Sequence, residues 1–495
     1  MRVLPGVLAL LVATQAPPAE PTQRDLLEAV ERHLKAVHET AGPAMACVVV
    51  SRSDQYPKPA APPDYPGRLG GFDPAAITKT NPALARRLDL ADFRGIPDHE
   101  SAAGVVIDPA GLVLTNFHTI EGATKVYVHL PGGKGSYADV HAADARADLA
   151  VLKLLTPPAD LKAVKLADVR LQALKAGPPT LFAGKLVTVL AFQPATGFAP
   201  DRPGGTVTAL TNIQFPRENP GVVEPPQSVY RYAPLLEFEA RSAPAVSGAA
   251  VMNLDGELVG LTSTVAVVAG GENGRAYALP IDAGTRRVVE TLARGEEVEY
   301  GLLGVVYDRT APGGGIVISY VTPRSPADGR LGAGDTIVRI NGHPMRNFYD
   351  LLYHVGYTLA GSRLTLTVRG VDGNERPVDL TVAKYRHDGA FVAANRPAPV
   401  FGLRVDWGSV LAQALEKTAV VPPGVSVREL APDSPAAAKF KELGDNTRWL
   451  ITHVNGTPTP TPAAFYQAAR NQTGVRLTVI DPTDRTARPR PVTLP

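Results

Sequence analysis

Hydrolysis by a serine nucleophile requires an exposed hydroxyl, an imidazole that takes its proton, and a carboxylate that orients the imidazole. The sequence offers one coherent set: His118 in LTNFHTI, Asp148 at the start of DLAVLKL, and Ser247 in APAVSGAAVMNLDGELVG. Each is weak evidence alone, because a histidine after a strand, an Asp-Leu strand start and a Ser-Gly turn are all common. Their order and their strand contexts make the set coherent. Other chemistries fail on inspection. The GGKG run at residues 132–135 has neither the spacing nor the Ser/Thr of a phosphate-binding loop. His129 and His141 could face each other across a hairpin, but no carboxylate pattern or H-E-x-x-H helix accompanies them, so no metal site is expected. Cys47 is the only cysteine, which rules out an intrachain disulfide and a cysteine-based zinc site.

The elements that must position these residues are short apolar runs separated by turn signals. GVVID, LVLTN, KVYVHL and ADLAVLKL lie in a first series, and LVTVLAF, TVTALTN, LLEFEA, AAVMN, ELVGLTS and AYALP in a second. Roughly six strands, a break near Pro157–Gly184 and about six more, without intervening helices, predict a pair of antiparallel barrels. His118 and Asp148 fall in the first series and Ser247 in the second, so their chemistry would sit in the cleft between barrels.

The chain has 495 residues, 50 Lys+Arg against 48 Asp+Glu, and 46 Gly with 47 Pro. That length suggests about three domains, and a net charge of +2 argues against a nucleic-acid partner. Abundant Gly and Pro favour strands and turns over long helices. Residues 1–19 carry Arg2, an apolar run from Val3 to Val12 and then small residues, the order of a secretory signal peptide, so export is expected. Residues 20–45 include an amphipathic helical pattern over Arg24–Glu39. A Pro-rich loop follows at 51–94.

The last two hundred residues or so contain a repeat. VISYVTPRSPA at Val317–Ala327 matches VRELAPDSPA at Val427–Ala436, and IVRINGHP around Asn341 matches LITHVNGTP around Asn455. Each copy opens on an apolar-Gly-apolar turn, Leu303-Gly304-Val305 and Phe401-Gly402-Leu403. Such a turn can hold a peptide's terminal carboxylate on backbone N–H groups while the peptide adds as a strand at a sheet edge.

These motifs together resemble the HtrA/DegP family of trypsin-like serine endopeptidases with appended PDZ modules. GVVIDPAGLVLTNFHTIEGATKVYVHL is similar to the family's histidine segment, ADARADLAVLKL to its aspartate segment, and FEARSAPAVSGAAVMNLDGELVGLTS to its serine segment. The resemblance implies a mainly β fold: a chymotrypsin-like double antiparallel β-barrel over residues 46–290, followed by two PDZ (α+β) domains at 300–385 and 397–495. It also implies a cofactor-free protease of unfolded or damaged proteins, exported to the periplasm or secreted, with PDZ domains that bind peptide C-termini. A homotrimer or larger assembly is implied as well. His118 would be the general base, Asp148 its orienting carboxylate and Ser247 the nucleophile, with the backbone N–H groups of Ala245 and Ser247 as the oxyanion hole. The family's Gly-Asn-Ser-Gly-Gly is here Ala245-Val246-Ser247-Gly248-Ala249. A Cβ at the first position opposes the backbone conformation that an oxyanion hole requires. The alternative reading is therefore a weakened or inactive pseudoprotease acting as a PDZ-based chaperone or adaptor.

Overall fold

The protein is described by a computed structural model over residues 22–52, 100–171, 179–193, 202–215, 229–239, 247–264, 275–308, 314–387, 389–415, 422–444, 449–484, 486 and 488–495. Residues 1–21, nearly all of the Pro-rich loop and Ala245 lie outside the described residues.

Helix α1 (Gln23–Ala41) starts on a capping box in which Thr22 and Asp25 each satisfy the other's backbone N–H. Val37 and Ala41 are buried at its end, and the chain runs on into β1 (Met45–Ser51), whose seven residues are all buried. Burial on both faces suits the sequence MACVVVS, which does not alternate. It also pushes the Cys47 thiol up to about 12, which makes it an inert core residue.

The first barrel adds β2 (Glu100–Asp108), β3 (Leu112–Thr115), the one-turn helix α2 (Phe117–Ile120), β4 (Lys125–Leu130), β5 (Lys134–Asp144) and β6 (Leu149–Leu154). Antiparallel pairing runs β5-β4-β1-β2-β3-β6 and closes from β6 back to β5. The second barrel contains β7 (Lys165–Leu166), β8 (Leu186–Gln193), β9 (Arg202–Ala209), β10 (Asn212–Gln214), β11 (Leu235–Glu239), β12 (Ala250–Met252), β13 (Glu257–Thr262) and β14 (Arg275–Pro280). Its strand order is β10-β11-β14-β13-β12-β8-β9, with β7 parallel beside β13. Helix α3 (Ala283–Ala293), capped by Asp282, then leads out of the barrels.

Two further units of one topology follow. The first orders its strands Val305–Tyr307, Ile316–Val321, Thr336–Ile340, Arg363–Arg369 and Glu375–Thr381; the second orders Leu403–Trp407, Val425–Leu430, Leu450–Val454, Val475–Ile480 and Arg490–Leu494. Helices Phe348–Gly356 and Pro462–Ala469 occupy equivalent places between the third and fourth strands. The sequence repeat now has physical reasons. Asn341 and Asn455 sit at φ of 47° and 50° in turns completed by Gly342 and Gly456, and their side-chain oxygens accept the N–H groups of Thr365 and Arg476. Gly304 and Gly402, at φ of 83° and 85°, pass so close to Ser325 and Ser434 that a Cβ would fall 2.1 and 2.2 Å from the serine Cβ atoms.

The two units attach differently. The first shares one continuous hydrophobic core with the first barrel, part of the second barrel and α3, the rest of the second barrel forming a separate cluster, whereas the second unit has a core of its own. Arg146, beside the first barrel's β6, is buried beneath the rings of Tyr232, Tyr300 and Tyr385, at 5.4, 4.6 and 4.9 Å from their centroids. At the junction of the two units Lys384 bonds to Glu297 (2.7 Å), Glu299 (3.3 Å) and Asp406 (2.9 Å). The segment joining the units also contributes Phe391–Ala393, which pairs antiparallel with Ala142–Asp144 at the end of β5.

Candidate active site

His118 sits on α2, directly after β3. This turn is tied down by Arg52, whose guanidinium donates to the carbonyls of Glu121 (2.7 Å) and Thr119 (2.9 Å). Asp148 lies in the turn between β5 and β6 at φ 51°, a left-handed conformation that an Asp tolerates better than a branched residue. Its carbonyl accepts the N–H of Phe117 (3.1 Å), so the two turns are joined before any side chain is considered.

Ser247 reaches this pair from the second barrel because its turn is pinned to the first. The Ser247 carbonyl accepts the N–H of Ala103 on β2 (2.8 Å). Gly248, at φ 83°, passes the Ala103 carbonyl so closely that a Cβ would lie 2.0 Å from its oxygen. Only a residue without a Cβ permits this contact.

The three side chains form a continuous chain of hydrogen bonds. Ser247 Oγ is 2.8 Å from His118 Nε2, and His118 Nδ1 is 2.9 and 2.8 Å from the Asp148 carboxylate oxygens. The carboxylate can only accept, so Nδ1 is the donor and Nε2 is left to accept the serine proton. The His118 backbone N–H adds a second bond to Asp148 Oδ1 (2.9 Å). Ser247 and Asp148 are buried, while His118 keeps a quarter of its side chain open.

Residues beyond these three complete the site. Thr264 places its hydroxyl 2.8 Å and its backbone N–H 3.1 Å from Ser247 Oγ. Tyr230 donates to Asp148 Oδ2 at 2.5 Å, and the Asn116 amide lies 3.3 Å from the Asp148 carbonyl. Asn116 stands two positions before His118, inside a motif already marked. Nothing in the sequence near Tyr230 signals its role. Phe117, beside His118, is buried in the core. His129 and His141 look to different neighbours: His129 lies against Tyr127 and His141 bonds the Ala293 carbonyl. Among the described residues no group of three or more His, Cys, Asp or Glu could hold a metal ion.

At the start of the first C-terminal unit, Gly304 directs its carbonyl to the N–H of Thr322 (2.9 Å) and the hydroxyl of Ser325 (3.2 Å). This fixes the loop Leu303-Gly304-Val305 beside the edge strand Val305–Tyr307. In the second unit the Gly402 carbonyl accepts the N–H of Ala431 (2.8 Å), and Phe401 and Gly402 both have positive φ. There the edge strand is Leu403–Trp407.

Two stretches of the chain match known families. Residues 102–261, which hold His118, Asp148 and Ser247, match the family described as Trypsin-like peptidase domain. Residues 293–369 match the PDZ domain family. A probable periplasmic serine endoprotease DegP-like of Pseudomonas fluorescens is 29% identical over 385 residues, covering 74% of this chain and 73% of that protein. A probable periplasmic serine protease do/HhoA-like of Haemophilus influenzae is 27% identical, covering 72% and 70%. Among solved structures, the HtrA-type protease AlgW with decapeptide is 20% identical with a TM-score of 0.44, covering 71% of this chain and 99% of that one. The chain thus carries a trypsin-like peptidase domain followed by a PDZ domain.

Proposed function

We propose that this chain is an exported, periplasmic serine endopeptidase that cleaves unfolded or damaged proteins. The observation that carries the proposal is the unbroken hydrogen-bond chain from Asp148 through His118 to Ser247, within residues that match the peptidase family. Ser247 Oγ attacks the peptide carbonyl while His118 Nε2 takes its proton and later returns it to the leaving amine. Asp148 holds the imidazole by Nδ1 and stabilises the imidazolium as it forms. The N–H groups of Ser247 and Ala245 stabilise the oxyanion. Attack also requires that Thr264 release the Oγ lone pairs it now engages. The two relatives' names support both endoproteolysis and the periplasm. The alternative of an inactive adaptor has no support.

The finer parts of the proposal are these. Residues 46–290 form the peptidase domain, and 300–385 and 397–495 two PDZ domains. Leu303, Gly304 and Val305, and likewise Phe401, Gly402 and Leu403, bind peptide C-termini. The shared topology and the matching glycine–serine contacts of the two units support the second PDZ assignment. The working assembly is a trimer or larger, as the family resemblance implies. A fluorophosphonate probe tests the nucleophile: the folded protein should be labelled once, at Ser247, and Ser247→Ala should not be labelled. Equal labelling of both proteins would overturn the assignment.

A further inference from the structure

The Asp148 carboxylate is buried, with only 9% of its side chain exposed, and it is surrounded by donors. Oδ1 accepts the backbone N–H of His118 at 2.9 Å, and the imidazole lies within reach of both oxygens. The other strong donor is the Tyr230 hydroxyl, 2.5 Å from Oδ2, with the Asn116 amide 3.4 Å from both Oδ2 and the Tyr230 hydroxyl. The short distance and the charged acceptor place this bond in the strong, charge-assisted class.

Tyr230 is set rigidly. It belongs to the one-turn segment Val229–Arg231, in which Val229 and Tyr230 are buried. The Val229 N–H donates to the Arg146 carbonyl (3.0 Å). Tyr232 and Ala233 fold back onto the Val229 carbonyl (3.1 and 2.8 Å). Arg146 Nε donates to the Tyr232 hydroxyl (3.1 Å). The segment is therefore fastened to the same turn that carries Asp148, and it delivers one phenol to one carboxylate oxygen. Burial and the neighbouring Asp148 charge hold that phenol well above its ordinary value, so it remains a protonated donor.

We infer that Tyr230 is a positioning residue of the triad, orienting the Asp148 carboxylate so that its oxygens face His118 Nδ1. The inference rests on the proposed proteolytic reading, and it adds a fourth side chain to the three read from sequence. Its chemistry is specific. With the phenol present, Oδ2 is fixed 2.8 Å from Nδ1 and its negative charge is shared between the phenol and the imidazole. With the phenol lost, the carboxylate can rotate about its Cβ–Cγ bond, and the proton on Nδ1 meets a differently placed acceptor.

Tyr230→Phe tests this, because the ring still fills its buried site while the hydroxyl is lost. The expected result is a fall in kcat of about ten- to a hundredfold with KM within about twofold, the range for losing one bond to a charged group. A merely structural tyrosine would lower the melting temperature and leave kcat per active site unchanged, with active sites counted by fluorophosphonate titration; that result overturns the inference. A second readout does not depend on turnover. The low-field proton resonance of the His118–Asp148 hydrogen bond, recorded in a Ser247→Ala background, should move when Tyr230→Phe is added. A resonance at the same position in both proteins overturns the role of Tyr230 even if the parent proves to have no protease activity. Loss of parent activity with a shifted resonance would sink the functional reading and leave the positioning role intact.

Discussion

Gly248→Ala is the substitution that most sharply tests how the two barrels share one active site. Two costs can be worked from the structure. The first is conformational: φ at Gly248 is 83°, and a Cβ there costs about 1–2 kcal/mol. The second is steric, because the new Cβ would lie 2.0 Å from the Ala103 carbonyl oxygen, where real contacts stay beyond 3.0 Å. The oxygen cannot simply retreat, since it accepts the Thr115 hydroxyl (2.9 Å) and the Ala103 N–H is bonded to the Ser247 carbonyl (2.8 Å). The serine turn must therefore yield by about 1 Å, which stretches the 2.8 Å Ser247–His118 bond beyond hydrogen-bond length. A misplacement of about 1 Å costs on the order of a hundredfold in rate. Stability should fall by about 2–4 kcal/mol in total. Peptide hydrolysis and fluorophosphonate labelling rates, with thermal melts alongside, measure both effects. Gly132→Ala is the control: its φ is 78° but nothing lies within 4 Å of its Cβ position, so it carries the conformational cost without the clash. It should lose about 1 kcal/mol and no activity. If Gly248→Ala retained rates within about twofold of the parent, the pinned-turn account would be wrong.

Two further predictions concern the C-terminal units. Lys384→Met removes the cation shared by Glu297, Glu299 and Asp406, and the abandoned carboxylates should destabilise the junction by about 3–5 kcal/mol in denaturant titrations; a loss under about 1 kcal/mol would show that Arg428, 2.6 Å from Glu297 and 3.2 Å from Asp406, suffices. His354 lies against His343 with ring centroids 4.4 Å apart, and burial with the neighbouring His343 pushes it down to about 3. Between roughly pH 6.5 and that value the unfolded chain binds a proton the folded one does not, so stability falls as the pH is lowered, by at most about 1.4 kcal/mol per unit. His354→Phe should flatten the dependence of melting temperature on pH from 7 to 5, and parallel curves for the two proteins would discount His354 as its source.

The triad was legible because each member stands beside a strand whose pattern is strong: LVLT before His118, LAVLKL after Asp148, and AVM after Ser247. The mainly β character was legible for the same reason, and the peptidase-then-PDZ order from the repeat and the family resemblance. Tyr230 was not. Its contact with Asp148 spans 82 positions and arises only when the Val229–Arg231 turn docks on the first barrel. Phe391–Ala393 reads as linker because three residues are too few to show alternation. It becomes a strand because β4 covers β5 only at Lys134–Tyr137, and Ala142–Asp144 offers backbone groups that need a partner. Arg146 and Lys384 carry no local signal of burial in the sequence. They are buried because tyrosines and carboxylates from distant segments converge on them, which no local pattern records.

The central claim is proteolysis by Ser247, and degradation of an unfolded protein such as casein tests it most directly. The protein and its Ser247→Ala variant would be compared in parallel, each with and without a peptide carrying an apolar C-terminus. Cleavage by the parent alone is the predicted result. No cleavage by a folded parent in either condition, or equal cleavage by the variant, would contradict the account.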